Sequence, residues 1–331
     1  MMKLLLLIPL LLIGVIPVMG LIPSQFDYII TQNSTGVYAV NGQTGTIDYS
    51  GTDAGTVITN AALKFYPSHA SIFVTCGTWN LFSSIHTWSG ALLQGCGEGQ
   101  TIFKRMFNGT NLHTMVFESA YNGNNGFAYL KDFTVDGNYP HTDNMQDEIA
   151  IVGNGQLDNI EVKNYNAIGE QLAGNIQVNN PKIIGVNSST IGSTMGIWQP
   201  PNTRITINGG DIENNRLNAV FSSGDLRISG CPYFSHNHLQ TNGGGGQLDL
   251  VGSYAIIDCI TIDRGNSVTS GIETNQGNYT ITDSRITGEW YGIVSNGQTS
   301  NLIVSNNFLS GNQYEYGFNG NSVWHLSNNI P

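Results

Sequence analysis

Apolar and small polar residues alternate along most of the second half of the chain, and the alternation is written in repeats. Tyr279-Thr-Ile-Thr-Asp-Ser-Arg-Ile-Thr-Gly288 aligns with Leu302-Ile-Val-Ser-Asn-Asn-Phe-Leu-Ser-Gly311 at an offset of 23. A period of two over five to eight residues predicts strands. The pairs Asp283-Ser284 and Asn306-Asn307 between them predict tight turns, because Asp and Asn tolerate the left-handed backbone. Short strands and turns repeating at this length predict a solenoid, in which each coil buries its apolar residues against the coils above and below. An inward column follows from Tyr316-Gly-Phe318, Tyr291-Gly-Ile293 and Ser270-Gly-Ile272. It reads Phe318, Ile293, Ile272, Leu248, Val220 and Ile197, with gaps of 25, 21, 24, 28 and 23. The same alignment sets Trp290 and Tyr291 over Glu315 and Tyr316. The gaps vary while the strand cores keep their shape, so the coils differ in their loops.

One stretch has helical spacing. Thr52 or Asp53 can cap it, and Val57, Ile58, Ala61, Ala62 and Phe65 form one apolar face. A helix over about 53–65, ahead of the first coil, is placed to cover the open end of the stack. The strand segments Ala70-Ser-Ile-Phe-Val-Thr-Cys-Gly-Thr-Trp79 and Gly90-Ala-Leu-Leu-Gln-Gly-Cys-Gly-Glu-Gly-Gln-Thr-Ile-Phe103 follow it. This helix and these two segments, with the later Gly-Ile coils, resemble the pectate-lyase-like superfamily. That resemblance implies an all-β, single-domain right-handed parallel β-helix with a short N-terminal capping helix, covering 46–331. Residues 21–45 show no period and read as a leader.

Composition narrows the partners. Charged residues make up only 11% of the chain, and 12 basic against 23 acidic residues give a net charge of −11. No basic stripe is present, which argues against nucleic acid. A polyanionic sugar chain would be repelled unless calcium bridged it, and no motif supports a calcium site or any other cofactor. A neutral or weakly charged polysaccharide fits better. Met1 to Gly20 has one lysine, an apolar run from Leu4 to Ile16 and small residues before Leu21. This reads as a secretory signal peptide, with an uncleaved anchor as the alternative. No later run reaches the length of a membrane helix, so the mature protein is expected to be secreted or at the cell surface.

The four cysteines fall at equivalent places in neighbouring coils. Cys231 stands three residues before Phe234 and Cys259 three before Ile262, while Cys76 and Cys96 are 20 apart. Neighbouring rungs about 4.8 Å apart lie within disulfide reach, and secretion allows oxidation. A reduced cysteine stack in a turn column is the alternative. The glycosylation triplets at Asn33, Asn108, Asn187 and Asn278 arise readily by chance in so Asn- and Thr-rich a chain.

Candidate chemistry falls into two clusters. In enzymes of the superfamily the groove lies on and just before the strand that begins with Gly-Ile. The Asn-Thr-Asp, Asp-Asp, Gly-His-Gly and Arg-Ile-Lys motifs of its polygalacturonases are missing here, as is the ligand set of its pectate lyases. The acidic cluster is Asp136, Asp143, Asp147 and Glu148, with Glu170 about one coil later. Glycoside hydrolysis needs two such carboxylates, and a solvated loop with turn aspartates is the alternative. The aromatic cluster is Trp290, Tyr291, Tyr314 and Tyr316 with Glu289, and Trp198-Gln199 further back. Rings beside polar groups bind sugar faces; a half-buried stack supporting the wall is the alternative. His236 and His238 share a strand face but have no third ligand, so no metal site is expected. The expectation is a polysaccharide-engaging protein, either a glycosidase using paired carboxylates or a non-catalytic, adhesin-like binder of glycan or protein.

Overall fold

The computed structural model describes residues 25–65, 68–88, 91–107, 116–119, 127–139, 147–186, 194–237, 245–252, 254–263, 269–296, 300–318 and 321–331. Residues 1–20, Asp143 and His238 lie outside them, as do Asn108 and Asn187. Short strands stack in parallel into three sheets that wind around one apolar interior. The first sheet runs from Ser71–Val74 through Arg204–Asn208, Asp225–Ser229, Tyr254–Asp258, Gly277–Thr282 and Ser300–Ser305 to Val323–Ser327. The second runs from Gly77–Leu81 through Lys182–Ile184 and Thr261–Asp263 to Phe308–Ser310. The third runs from Ile85–Trp88 through Met195–Gln199, Val220–Ser222, Gly246–Leu250, Ser270–Thr274 and Tyr291–Ser295 to Tyr314–Phe318.

The passage from the first sheet to the second is a tight turn repeated coil after coil. Asp132, Asn159, Asn180, Cys231, Cys259, Asp283, Asn306 and Asn328 hold it with φ between 49° and 59°. Most are Asn or Asp, whose short polar side chains make the left-handed conformation tolerable. The next position turns inward and ties the coils together. Asn307 Oδ1 accepts the Ser284 N–H at 3.0 Å, and Asn329 Oδ1 accepts the Asn307 N–H at 3.0 Å. Cys231 and Cys259 lie in this turn column and form a disulfide, with Cα atoms 4.5 Å apart. Cys76 and Cys96 form a second, with Cα atoms 5.4 Å apart.

The interior is a set of aliphatic columns. In the third sheet Ile197, Val220, Leu248, Ile272 and Ile293 are register partners in turn, and all are buried. The column then departs from the sequence alignment, because the partner of Ile293 is Tyr316 and not Phe318. The offset of 23 that pairs Tyr279 with Leu302 in the first sheet also pairs Tyr291 with Tyr314 in the third. The Tyr-Gly-apolar match at an offset of 25 is therefore two residues out of register. Phe318 is 61% exposed and packs on Trp324, with ring centroids 4.7 Å apart, at the C-terminal end of the stack.

The helix spans Ala54–Leu63, capped by Asp53, whose carboxylate accepts the N–H groups of Gly55 at 3.2 Å and Thr56 at 3.1 Å. Val57, Ile58, Ala61 and Ala62 are buried against the first coil. From residue 25 onward, the segment read as a leader is folded. Tyr28–Asn33 pairs antiparallel with Gly36–Asn41 and parallel with residues 72–74, extending the first sheet by one rung. Tyr28, Ile30, Val37 and Ala39 alternate inward. An antiparallel hairpin has the strand period without the coil repeat, which is why a repeat-based reading passes over it. Among the described residues no helix is long and apolar enough to cross a membrane.

Candidate functional site

The acidic residues singled out in the sequence separate into different environments. Asp136 completes a turn: its Oδ1 accepts the Asn138 N–H at 2.8 Å and the Asn164 amide at 3.0 Å. Glu148 and Glu170 are fully buried inside the tube. Glu148 meets Arg105 at 3.2 Å, with both side chains 1% exposed. Glu170 stands in the inward aliphatic column between Ile149 and Ile197, and neither of its oxygens has a hydrogen-bond partner among the described residues. Burial pushes its carboxyl up to about 8. Burial also raises Glu148 to about 7 against the opposing pull of Arg105, and Asp147, half-buried beside it, to about 6. A polymer on the outside cannot reach Glu148 or Glu170, so the expected catalytic pairing of these carboxylates is not formed.

The aromatic candidates divide as well. Gln199 is buried, donating to the carbonyls of Thr203 at 3.1 Å and Asp225 at 2.9 Å and accepting from Ser222 Oγ at 2.7 Å. Glu289 is buried too, accepting from Gln247 Nε2 at 2.6 Å and Thr269 Oγ1 at 3.1 Å. Both therefore face inward and not toward a ligand. Through Gln247, Glu289 ends an internal polar seam that continues through Asn237 and Asn215 to Tyr165. Tyr316 packs against the core and on Trp324 at 5.8 Å, so it belongs to the end of the stack. Trp290, Tyr291 and Tyr314 do come together. Tyr291 and Tyr314 stack at 5.2 Å, and Trp290 meets Tyr314 edge-on at 5.8 Å.

The outward row of the third sheet connects these pieces. Trp198, Phe221, Asp249, Glu273, Val294 and Gly317 are register partners in succession. Each follows an inward residue, so side chains of this row share the outer face, on which Glu273 and Val294 are nevertheless only 8% and 3% exposed. A Cβ on Gly317 would lie 3.0 Å from Tyr291 Cδ1 and 2.6 Å from Val294 Cγ2, so the Tyr291 ring covers that face where the glycine leaves room. The row thus carries two aromatic rings at one end, two carboxylates in the middle and the Trp290–Tyr291–Tyr314 cluster at the other. At about 4.8 Å per rung, Trp198 to Gly317 spans roughly 24 Å.

The two carboxylates are electrostatically coupled. Asp249 is pushed up to about 7, first by burial and then by the neighbouring Glu273. Burial also raises Glu273, while Asn296 Nδ2 donates to its Oε1 at 2.6 Å and opposes the rise. Asp249 Oδ1 is buried and has no hydrogen-bond partner among the described residues. Near pH 7 Asp249 therefore readily holds a proton, as a general acid must. A legible signal for both residues existed in the sequence. The inward column runs from Leu248 to Ile272, and Asp249 and Glu273 are the next residues along each strand.

Beside this row, at the corner leading to the first sheet, lies an open cavity of about 720 Å³ bordered by Asn202, Arg204, Ser223, Asp225 and Val251. Among the described residues, no group of three or more His, Cys, Asp or Glu side chains is arranged to hold a metal ion.

Several solved structures resemble this one. The ORF18 protein of Geobacillus virus E2 superposes with a TM-score of 0.65 at 13% identity, over 90% of this chain and 69% of that one. The A-module of the Azotobacter vinelandii mannuronan C-5 epimerase AlgE4 gives 0.58 at 14% identity, over 84% of this chain and 91% of the module. The A-module of AlgE6 from the same organism gives 0.53 at 14% identity, over 85% and 96%. No protein-family model and no curated protein matches the chain.

Proposed function

From a chain with the right-handed parallel β-helix fold of the pectate-lyase-like superfamily, we propose an extracellular protein that binds a polysaccharide along the outer face of the third sheet and hydrolyses it. The observation that carries this reading is the register pair Asp249–Glu273, set between Trp198–Phe221 on one side and Tyr291–Tyr314 on the other. Aromatic faces hold the apolar faces of sugar rings, so several sugar units would lie along the coil axis with one linkage over the carboxylates. Asp249, protonated, donates its proton to the leaving oxygen as the glycosidic C–O bond breaks; Glu273, ionised, bonds to the anomeric carbon, and water then displaces it while returning a proton to Asp249. The net charge of −11 favours a neutral backbone. Two disulfides favour an oxidising compartment. Two of the similar folds are named as epimerases of mannuronan, which supports a glycan as the ligand.

A glycan array followed by a reducing-end assay on each hit tests the proposal. Release of reducing ends by the wild type, lost in Glu273→Gln with binding kept, is the expected result. Binding without release would make the same face that of a lectin-like binder. No binding to any glycan would overturn the reading.

A further inference from the structure

The corner cavity beside the outward row is built on a buried side chain. Gln199, wholly enclosed, grips the Thr203 and Asp225 carbonyls and the Ser222 hydroxyl, and so fixes the backbone of two successive coils where they bend from the third sheet into the first. Gly224 completes this floor. A Cβ there would come within 2.5 Å of both Gln199 Nε2 and the Thr203 carbonyl oxygen. Ser223 and Val251 border the cavity two residues beyond Phe221 and Asp249, just past the ends of their strands. The cavity therefore opens directly from the proposed glycan face.

The cavity continues into a space whose charge is opposite to that of the protein. Around the corner it meets a hollow of about 240 Å³ bordered by Arg204, Asp225, Arg227 and Tyr254, and Arg204 and Asp225 line both spaces. Arg204 approaches Asp225 at 3.6 Å with side chains 70% and 40% exposed. A pair so long and so solvated holds its guanidinium weakly. Arg227 is exposed and forms no ion pair among the described residues. Two guanidinium groups against one carboxylate, in a chain with only 12 basic residues and a net charge of −11, make this a local cationic spot. The half-exposed Tyr254 ring offers an apolar face next to it.

We propose that this corner is a second subsite, which takes an anionic substituent, a carboxylate or a sulfate ester, carried as a side group on the polysaccharide. Arg204 and Arg227 supply the charge, Tyr254 the stacking face, and Gln199 acts as the positioning residue that holds the floor. The subsite deepens the proposed function and rests on it for the polymer. Its own recognition chemistry is local, and monosaccharides can test it without the polymer.

The full-length protein is titrated by NMR with methyl glucuronide, glucose 6-sulfate and methyl glucoside. The expected result is at least tenfold tighter binding of one or both charged sugars than of the neutral one, with the preference weakened by added salt. Which charged sugar binds distinguishes carboxylate from sulfate. Arg204→Gln with Arg227→Gln should abolish the preference without changing the melting temperature. Equal binding of all three sugars, or a preference that survives in the double variant, would overturn the subsite. Trp198→Ala with Phe221→Ala separates the two readings. If it loses polymer retention but keeps the monosaccharide preference, both stand. If the wild type shows that preference yet retains no polymer, the subsite stands and the glycan face fails.

Discussion

Asp249 and Glu273 are register partners on adjacent rungs of the third sheet, and both point outward. Burial raises both carboxyls, and the neighbouring Glu273 adds to the rise of Asp249, which reaches about 7. If Asp249 is the proton donor, turnover is present while it is protonated and is lost as pH rises through about 7. Asp249→Asn and Glu273→Gln should each lower turnover by about a hundredfold or more, with glycan retention kept. A pH–rate profile whose alkaline limb is unchanged in Asp249→Asn would remove that residue from the role.

The aromatic ends of the row should matter for binding and little for folding. Trp290→Ala with Tyr314→Ala removes two rings of the cluster, one of which is 46% exposed. Glycan retention should fall at least tenfold while the far-ultraviolet circular dichroism stays that of the wild type. Affinity electrophoresis on the array hits reads this directly, and wild-type retention would place the ligand on another face.

Glu170 has the opposite character. Its carboxyl is raised to about 8 inside an aliphatic column. Below the ordinary carboxylate range it is protonated in both folded and unfolded chains, and its protonated form is tolerated. As pH rises toward 8 the unfolded chain ionises first, so the stability contributed by the buried acid is progressively lost. Glu170→Leu should therefore be more stable than wild type at pH 8, by a few kcal/mol, and the gain should shrink toward pH 4. Thermal melts across that range check the sign.

Reduction should destabilise the protein. The two disulfides close spans of 28 and 20 residues, and losing one of them commonly costs about 2–4 kcal/mol. Cys231→Ser with Cys259→Ser should lower the melting temperature, and dithiothreitol should lower the wild type further than it lowers this variant. Mass mapping that finds four free thiols in secreted protein would contradict both disulfides.

Ile293 lies between Ile272 and Tyr316 in the inward column and is fully buried. Ile293→Asp puts a carboxylate there without a partner, at a cost of several kcal/mol. Limited proteolysis should then open the C-terminal coils first, whereas wild-type resistance would mean that the residue does not face the core.

What each coil repeats is written in local residue preferences. Alternation in Tyr279–Thr282 and Leu302–Ser305 and left-handed turn residues at Asp283 and Asn306 are local preferences expressed again from rung to rung, and the Asp53 cap is a local preference expressed once. The equivalent positions of Cys231 and Cys259 follow from the same repetition. The register between coils of unequal length, and the side of the wall each polar residue faces, arise only when the coils stack. A two-residue difference in matching Tyr291 moved Phe318 from the core to the exposed end of the stack. Glu148, Glu170, Gln199 and Glu289 read as surface chemistry because acids and amides are usually solvated. They are buried because the strand pleat and the corners turn them inward, where Arg105, Ser222, Gln247 and Thr269 partner three of the four. Asp249 and Glu273 are 24 residues apart in a chain whose coils differ in length. The strands they belong to are recognisable locally, but their meeting on one face depends on loops that set how far the chain travels before it returns.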